Sequence, residues 1–248
     1  MPATPAWPPK SAPRLFVTER LAGGARVALE GNQAHYLGRV MRAAPGDVVV
    51  LCDDVTGEWA ARVVEAGKRA VLLEVVERLR AREAVPDFWL CPALLKKDRF
   101  DLVLEKATEL GVAAIRPVVT RRCVANKLNH DRARQIVVEA AEQCARTALP
   151  ELAQPVSLDA LLRDWPADRT LFFADEAGGD QAAGAFAGAT CAALLTGPEG
   201  GFDDAERAAI RAHTQARAIS LGPRILRGET AAIAATALWM GVAGDWRK

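Results

Sequence analysis

Two short segments in the C-terminal third of the 248-residue chain bring together residue types that can hold a small ligand and act on it. The first, Thr196-Gly197-Pro198-Glu199-Gly200-Gly201-Phe202, follows an apolar run and is followed at once by Asp203 and Asp204, which open a helix. Glycines at such a turn let backbone N–H and C=O groups approach a ligand and permit positive φ, while the start of a helix adds partial positive charge. The spacing is not G-x-G-x-x-G and no Lys-Ser/Thr follows the glycines, so neither common phosphate-binding pattern is present. Glu199 would repel a pyrophosphate, which makes an uncharged or cationic ligand portion the better fit. A tight turn without a ligand also explains these residues when they are read alone.

The second segment runs from Ile219 to Thr230 and carries Arg224, Arg227, Glu229 and Thr230 between apolar residues. Pro223 and Gly228 bracket Ile225 and Leu226, which excludes the solvated face of a regular helix or strand. Apolar side chains on such a loop either cover something flat or enter a core by an unusual chain path. A guanidinium here can stabilise charge that develops on a substrate oxygen. The plainer alternative is a surface ion pair of Arg224 or Arg227 with Glu229.

The elements that must position these loops fall into two rhythms. From Arg14 to about Arg82, short β-like runs separated by Gly, Asp and Asn predict a small β-barrel with one short helix over Gln33–Met41. After Pro86 the pattern alternates strand and helix. Strands are predicted at Phe88–Leu95, Ile115–Val119, Leu171–Ala174, Ala192–Leu195 and Ala218–Leu221. Helices are predicted from Asp98 as N-cap to Gly111, over Asp131–Thr147, over Asp203–Ala212 and from Thr230. Such alternation implies an α/β fold with a mostly parallel sheet covered on both faces, and ligands of such sheets bind beyond the carboxyl ends of the strands. The expected organisation is a loose tail over residues 1–13, a barrel over 14–82 and an α/β domain over 83–248.

Half of the residues are hydrophobic and a quarter are charged, with a net charge of +1, which excludes disordered and fibrous classes. The five cysteines are scattered, with no C-x-x-C pair, so reduced thiols in a cytoplasmic protein are expected and no metal is implied. The proline-broken N-terminus lacks the apolar core of a secretory signal, and the apolar stretch Ala231–Gly244 is too short for a membrane span. Charge is nonetheless segregated: from Lys96 to Arg134 there are ten basic residues against five acidic ones. An ordinary solvated face accounts for that segment as readily as a polyanionic partner does.

The two loops, Leu194–Phe202 and Leu221–Ala231, resemble those of the ribosomal RNA small-subunit uracil-N3 methyltransferases of the SPOUT superfamily. Lys96-Lys97-Asp98-Arg99-Phe100, Glu105–Val112, Ile115–Cys123, Glu139–Pro150, Arg14–Val17 and His35–Arg42 stand in the same order as that family's motifs, so the resemblance covers nearly the whole chain from Arg14 onward. It implies a PUA-like, RNA-holding barrel and a C-terminal domain with a deep trefoil knot, acting as a homodimer. The implied cofactor is S-adenosylmethionine, cradled by Leu195, Thr196, Gly197, Glu199, Gly200, Gly201, Leu221, Gly222, Ile225, Leu226 and Thr230. The implied reaction is methylation of N3 of one uridine in the decoding region of 16S rRNA, on the assembled small subunit. Arg227 is expected to stabilise the uracil anion with Arg224 as substitute, and Glu229 to serve as base or to orient Arg227.

Candidate RNA contacts are Arg14, Arg39 and Arg42 on the barrel and Lys96, Lys97, Arg99, Arg121 and Arg122 in the basic segment. Lys106, Glu109, Glu142, Gln143 and Arg146 are expected in structural charge networks, and His35 and Tyr36 at a helix start and a core edge. Asp175 and Glu176 either face the pocket or form a turn. Two other classes share parts of the pattern. A non-catalytic ribosome-assembly protein would need the barrel and basic segment but no cofactor, whereas another knotted enzyme would share the cofactor loops and modify a different RNA position.

Overall fold

The structure, a computed structural model, describes residues 7–9 and 11–247; of the tail expected over residues 1–13, residues 1–6 and 10 lie outside the described residues. The chain divides into two compact units, one extending to Ala84 and including Ala141–Ala148, the other formed by Val85–Ala140 and Leu149 onward.

The first unit is a curled sheet of β1 (Arg14–Phe16), β2 (Arg26–Glu30), β3 (Val48–Asp53), β4 (Gly57–Ala66) and β5 (Ala70–Ala81), in the order β1-β3-β4-β5-β2. β1 and β3 are parallel and the other pairs antiparallel, with irregular register along β4. Alternate residues such as Val49, Leu51, Val71, Leu73 and Val75 point into one buried cluster, the period-2 signature of a half-buried sheet. Asp53 holds the turn into β4, accepting from the N–H groups of Leu21 (2.6 Å), Gly57 (3.0 Å) and Thr56. Burial alone would raise its pKa, but these donors outweigh it and hold the carboxyl below the ordinary carboxylate range. The short helix begins earlier than expected, as α1 (Gly31–His35), and continues as a π-helical turn over Tyr36–Val40.

Residues 141–148 belong to this unit although the sequence placed them in the second domain, because their polar groups find partners there. Glu142 accepts from the Phe16 N–H (2.7 Å), and Glu83 accepts from Thr147 N–H (2.6 Å) while its own N–H donates to the Thr147 hydroxyl (2.8 Å). Ala145 turns the chain at φ 62°, and the helix expected to reach Thr147 stops at Gln143.

The second unit contains β6 (Phe88–Pro92), α2 (Lys97–Leu110), β7 (Ala114–Ile115), β8 (Val118–Val119), α3 (from His130), β9 (Glu151–Leu152), β10 (Val156–Ser157) and α4 (Leu158–Arg163). It continues with β11 (Thr170–Ala174), β12 (Asp180–Gln181), α5 (Ala182–Phe186), β13 (Ala192–Thr196), α6 (Asp204–Ala212), β14 (Ala216–Ser220) and α7 (Gly228–Val242). Seven strands form a parallel sheet in the order β12-β14-β11-β13-β6-β7-β9, and β8 pairs with β10. Successive residues of the central strands face opposite cores. Phe88, Leu90, Phe172 and Leu194 pack beneath α2, α5 and α7, whereas Cys91, Leu171, Phe173 and Leu195 pack beneath α4 and α6. Phe88 stacks on Trp239 of α7 with ring centroids 4.3 Å apart, fixing that helix to the sheet.

Further boundaries differ from expectation: β6 ends at Pro92 rather than Leu95, and β14 runs from Ala216 to Ser220 rather than from Ala218 to Leu221. Pro117, which has no N–H to donate, separates β7 from β8 where one strand was expected. Lys96 rather than Asp98 stands at the N-cap of α2, because the helix already starts with the Arg99 and Phe100 amides bonded to the Lys96 carbonyl; Asp98 lies in the first turn. α7 begins at Gly228, which brings Glu229 and Thr230 into its first turn.

Candidate active site

The strands β11, β13 and β14 are neighbours in the parallel sheet, so the segments leaving their carboxyl ends converge. Residues 174–176, 197, 198, 201, 202, 207 and 219–226, with Gly228 and Ala231 of α7, line a cleft of about 800 Å³, part of it open to solvent.

The glycine turn is held from outside the cleft. Asp203 caps α6 by accepting from Glu206 N–H (2.7 Å), and Glu206 reciprocates by accepting from Asp203 N–H (3.1 Å). Arg121 donates from its side chain to Asp203 (3.0 Å) and from its backbone to Glu206 (2.7 Å). The Asp203 carboxyl is held below its ordinary pKa, chiefly by the Glu206 N–H and further by Arg121. Arg122 donates to the Gly200 carbonyl (3.0 Å), and a Cβ on Gly200 would stand 3.2 Å from its Cβ. Gly201 adopts φ +66°, which disfavours any side chain, and a Cβ there would stand 2.9 Å from the Glu176 carboxylate.

The expected cofactor residues separate into three groups. Gly197, Gly201, Leu221, Gly222, Ile225 and Leu226 line the cleft. Leu195 and Thr196 are buried in the sheet beneath it. Glu199, Gly200 and Thr230 are not among the lining residues: Glu199 accepts from the Lys96 N–H (3.2 Å), Gly200 abuts Arg122, and Thr230 is exposed on α7. Ile225 is 85% exposed at the cleft, so its side chain is available to cover a flat ligand rather than fill a core.

Arg224 lines the cleft, and Arg227, the N-cap residue of α7, is exposed; neither forms an ion pair among the described residues. The expected pairing of Arg227 with Glu229 is not formed, because Glu229 is buried and its ionic partner is Arg99, Nε to Oε1 3.7 Å. The helix start at Gly228 turns the Glu229 side chain toward α2.

Of the residues expected at RNA, Arg39, Arg42, Lys96 and Lys97 are exposed. Arg14 is instead paired with Glu58, a buried carboxylate that also pairs with Arg80; burial, and then Arg80, lowers the Arg14 pKa. Arg121 and Arg122 serve the glycine turn, and Arg99 faces Glu199 and Glu229. Lys106 pairs with Glu105 and Glu109 on α2.

The sequence left Asp175 and Glu176 open and did not single out Arg207. The structure places all three at the cleft, with Asp175 in ion pairs with Arg207 (3.2 Å) and Arg211 (2.6 Å), and Glu176 in one with Arg207 (3.0 Å). The signal available was an Asp-Glu pair ending a strand beside the glycine turn, with Arg207 and Arg211 one helical turn apart on the following helix.

A sheet of this order with ligand-lining loops at its carboxyl end defines a class that comparison makes specific. The RNA methyltransferase domain family matches residues 82–240, and the RNA methyltransferase PUA domain family matches residues 29–76. A ribosomal RNA small subunit methyltransferase E from Synechocystis is 34% identical over 234 residues, 90% of this chain and 76% of that protein. The protein of the same name from Mycobacterium bovis is 32% identical over 251 residues, 93% and 95% of the two chains. Among solved structures, a ribosomal RNA small subunit methyltransferase E from Neisseria gonorrhoeae bound to S-adenosylmethionine is similar with a TM-score of 0.87 and 28% identity over 95% of this chain and 99% of that one. A chain from Legionella pneumophila solved in complex with S-adenosylmethionine gives 0.85 and 30%, over 94% and 99%. The chain belongs to the ribosomal RNA small subunit methyltransferase E family, with a SPOUT-type α/β domain and a PUA-like domain.

Proposed function

We propose that this protein transfers the methyl group of S-adenosylmethionine to N3 of one uridine in the decoding region of 16S rRNA, acting in the cytoplasm as a homodimer with a knotted α/β domain. The observation that carries the reading is the convergence of the glycine turn and the Leu221–Leu226 segment on one cleft. The residues fit the cofactor. Gly197, Gly201 and Gly222 expose backbone to it, Ile225 and Leu226 offer apolar cover for adenine, and Glu176 offers a carboxylate to hydroxyl or cationic groups. The cofactor supplies an electrophilic methyl group on a sulfonium.

N3 of uracil carries a proton, and its loss leaves negative charge shared with the carbonyl oxygens. Arg227, exposed and without an ion pair, is free to stabilise that charge, with Arg224 beside it. Glu229 faces Arg99 rather than the cleft, so the proton leaves to another acceptor, and positioning of N3 in line with the methyl group supplies much of the rate. Arg39, Arg42, Lys96 and Lys97 are the exposed cations proposed for phosphate contact, where they add affinity without reading sequence. With a net charge of +1, a folded target is favoured over short free RNA, because shape supplements charge.

The test is transfer from labelled S-adenosylmethionine to small subunits lacking the modification, with the methylated nucleotide located by mass spectrometry. A single N3-methyluridine in the decoding region is expected, with little transfer to short oligonucleotides. Methylation at another position or base would overturn the substrate assignment, and efficient modification of short oligonucleotides would overturn the requirement for the subunit.

A further inference from the structure

Arg99 lies in the first turn of α2 and was expected at RNA, yet its guanidinium faces two carboxylates from two other segments. Its Nη1 stands 3.7 Å from Glu199 Oε1 on the glycine turn, and its Nε stands 3.7 Å from Glu229 Oε1 on α7. The second oxygen of each carboxylate is buried and has no hydrogen-bond partner among the described residues. Two largely buried carboxylates thus share one cation, and both depend on it, since an uncompensated charge withdrawn from water is costly. In the same region the glycine turn and α7 touch through backbone, a Cβ on Gly228 standing 2.9 Å from the Gly197 carbonyl oxygen. Both segments line the cleft, through Gly197 and Gly201 on one and Gly228 and Ala231 on the other.

Resting on the reading of that cleft as a cofactor site, we propose that Arg99 is a positioning residue for the cofactor and not an RNA contact: it clamps the glycine turn to the start of α7 and so sets the width of the cleft. Without the guanidinium, Glu199 and Glu229 repel one another and the two segments part. A single carboxylate would not need this arrangement. Two on different segments, bridged by a third, make the cation a tie between them.

The test measures S-adenosylmethionine and small-subunit dependence of methyl transfer in Arg99→Met, Arg99→Lys and Arg99→Met/Glu199→Gln proteins, with hydrogen exchange of the 197–203 amides in the cofactor-free proteins. Arg99→Met is expected to raise the KM for cofactor about tenfold, the worth of one interaction of about 1.4 kcal/mol, with the KM for subunits unchanged. Exchange at 197–203 should rise in step. Arg99→Lys should recover part of both effects, and adding Glu199→Gln to Arg99→Met should recover most of them, since it removes one of the repelling charges. A raised KM for subunits with unchanged cofactor KM would overturn the clamp in favour of RNA contact. Unchanged exchange in Arg99→Met, or no relief from Glu199→Gln, would overturn it outright. If the wild type binds no S-adenosylmethionine the functional reading falls, while the exchange measurements still decide whether Arg99 ties the two segments.

Discussion

Gly228, the first residue of α7, lies against the carbonyl oxygen of Gly197 so closely that a Cβ at position 228 would stand 2.9 Å from that oxygen and 3.0 Å from Leu95 Cδ2. The oxygen belongs to backbone and cannot turn aside. Gly228→Ala must therefore push the start of α7 away from the glycine turn, at the cost of overpacking, about 1–3 kcal/mol. Calorimetric titration should show weakened S-adenosylmethionine binding together with a lowered Tm, and an unchanged affinity would contradict the geometry.

Glu176 is held by Arg207 at 3.0 Å and faces the cleft beside Gly201, whose added Cβ would stand 2.9 Å from Glu176 Oε1. Gly201→Ala meets a backbone at φ +66° and displaces that carboxylate, so it should weaken cofactor binding. Glu176→Gln keeps the shape and removes the charge, and should weaken binding by about tenfold, the worth of one charge-assisted hydrogen bond. Equal affinities of the Glu176→Gln and wild-type proteins would remove Glu176 from the cofactor site.

Acid should loosen the first unit through Asp53. A carboxylate whose folded pKa lies below its unfolded value stabilises the fold above the unfolded value, near 3.8, and that contribution is lost as pH falls through the lower folded value. Hydrogen exchange at the Leu21, Thr56 and Gly57 amides, the donors to Asp53, should therefore accelerate as pH falls through this window beyond the intrinsic pH dependence. Asp53→Ala should lose the protection at neutral pH, by about 1–3 kcal/mol for the unpaired donors. If protection at these amides is the same in the variant, Asp53 does not hold the turn.

Thiol reactivity offers a check on both cores. Burial pushes the Cys91 thiol up to about 12, and burial together with the neighbouring Asp53 does the same for Cys52. Neither should be alkylated by iodoacetamide at neutral pH in the folded protein, because the thiolate is the reactive form. Mass mapping after a timed exposure would show it, and rapid labelling at either position would contradict the packing.

The sequence made the two cleft-forming loops legible because their information is local: glycines, prolines and an N-cap aspartate declare a turn whatever surrounds them. Strand and helix alternation similarly exposed the parallel sheet. What escaped was decided by contacts between segments far apart in sequence. The pairing of Glu229 with Arg99 depends on where α2 lies beside α7, and the assignment of residues 141–148 to the first unit depends on Phe16 and Glu83 offering partners. Asp98 fits an N-cap by residue type, and only the bonds to the Lys96 carbonyl show that the helix starts earlier. Arg14 looks like a surface cation until the buried Glu58 is seen beside it.

The most direct test of the central claim is single-turnover methyl transfer to unmodified small subunits by the wild type and by Arg227→Ala, with S-adenosylmethionine affinity measured in parallel. Arg227 has no ion pair among the described residues and is not among the residues lining the cleft, so its removal should leave cofactor affinity intact while the rate of transfer to uridine N3 falls on the order of 10²–10³-fold, as for the loss of one group stabilising a developing anion. An unchanged rate, or a fall explained wholly by lost cofactor binding, would contradict the account.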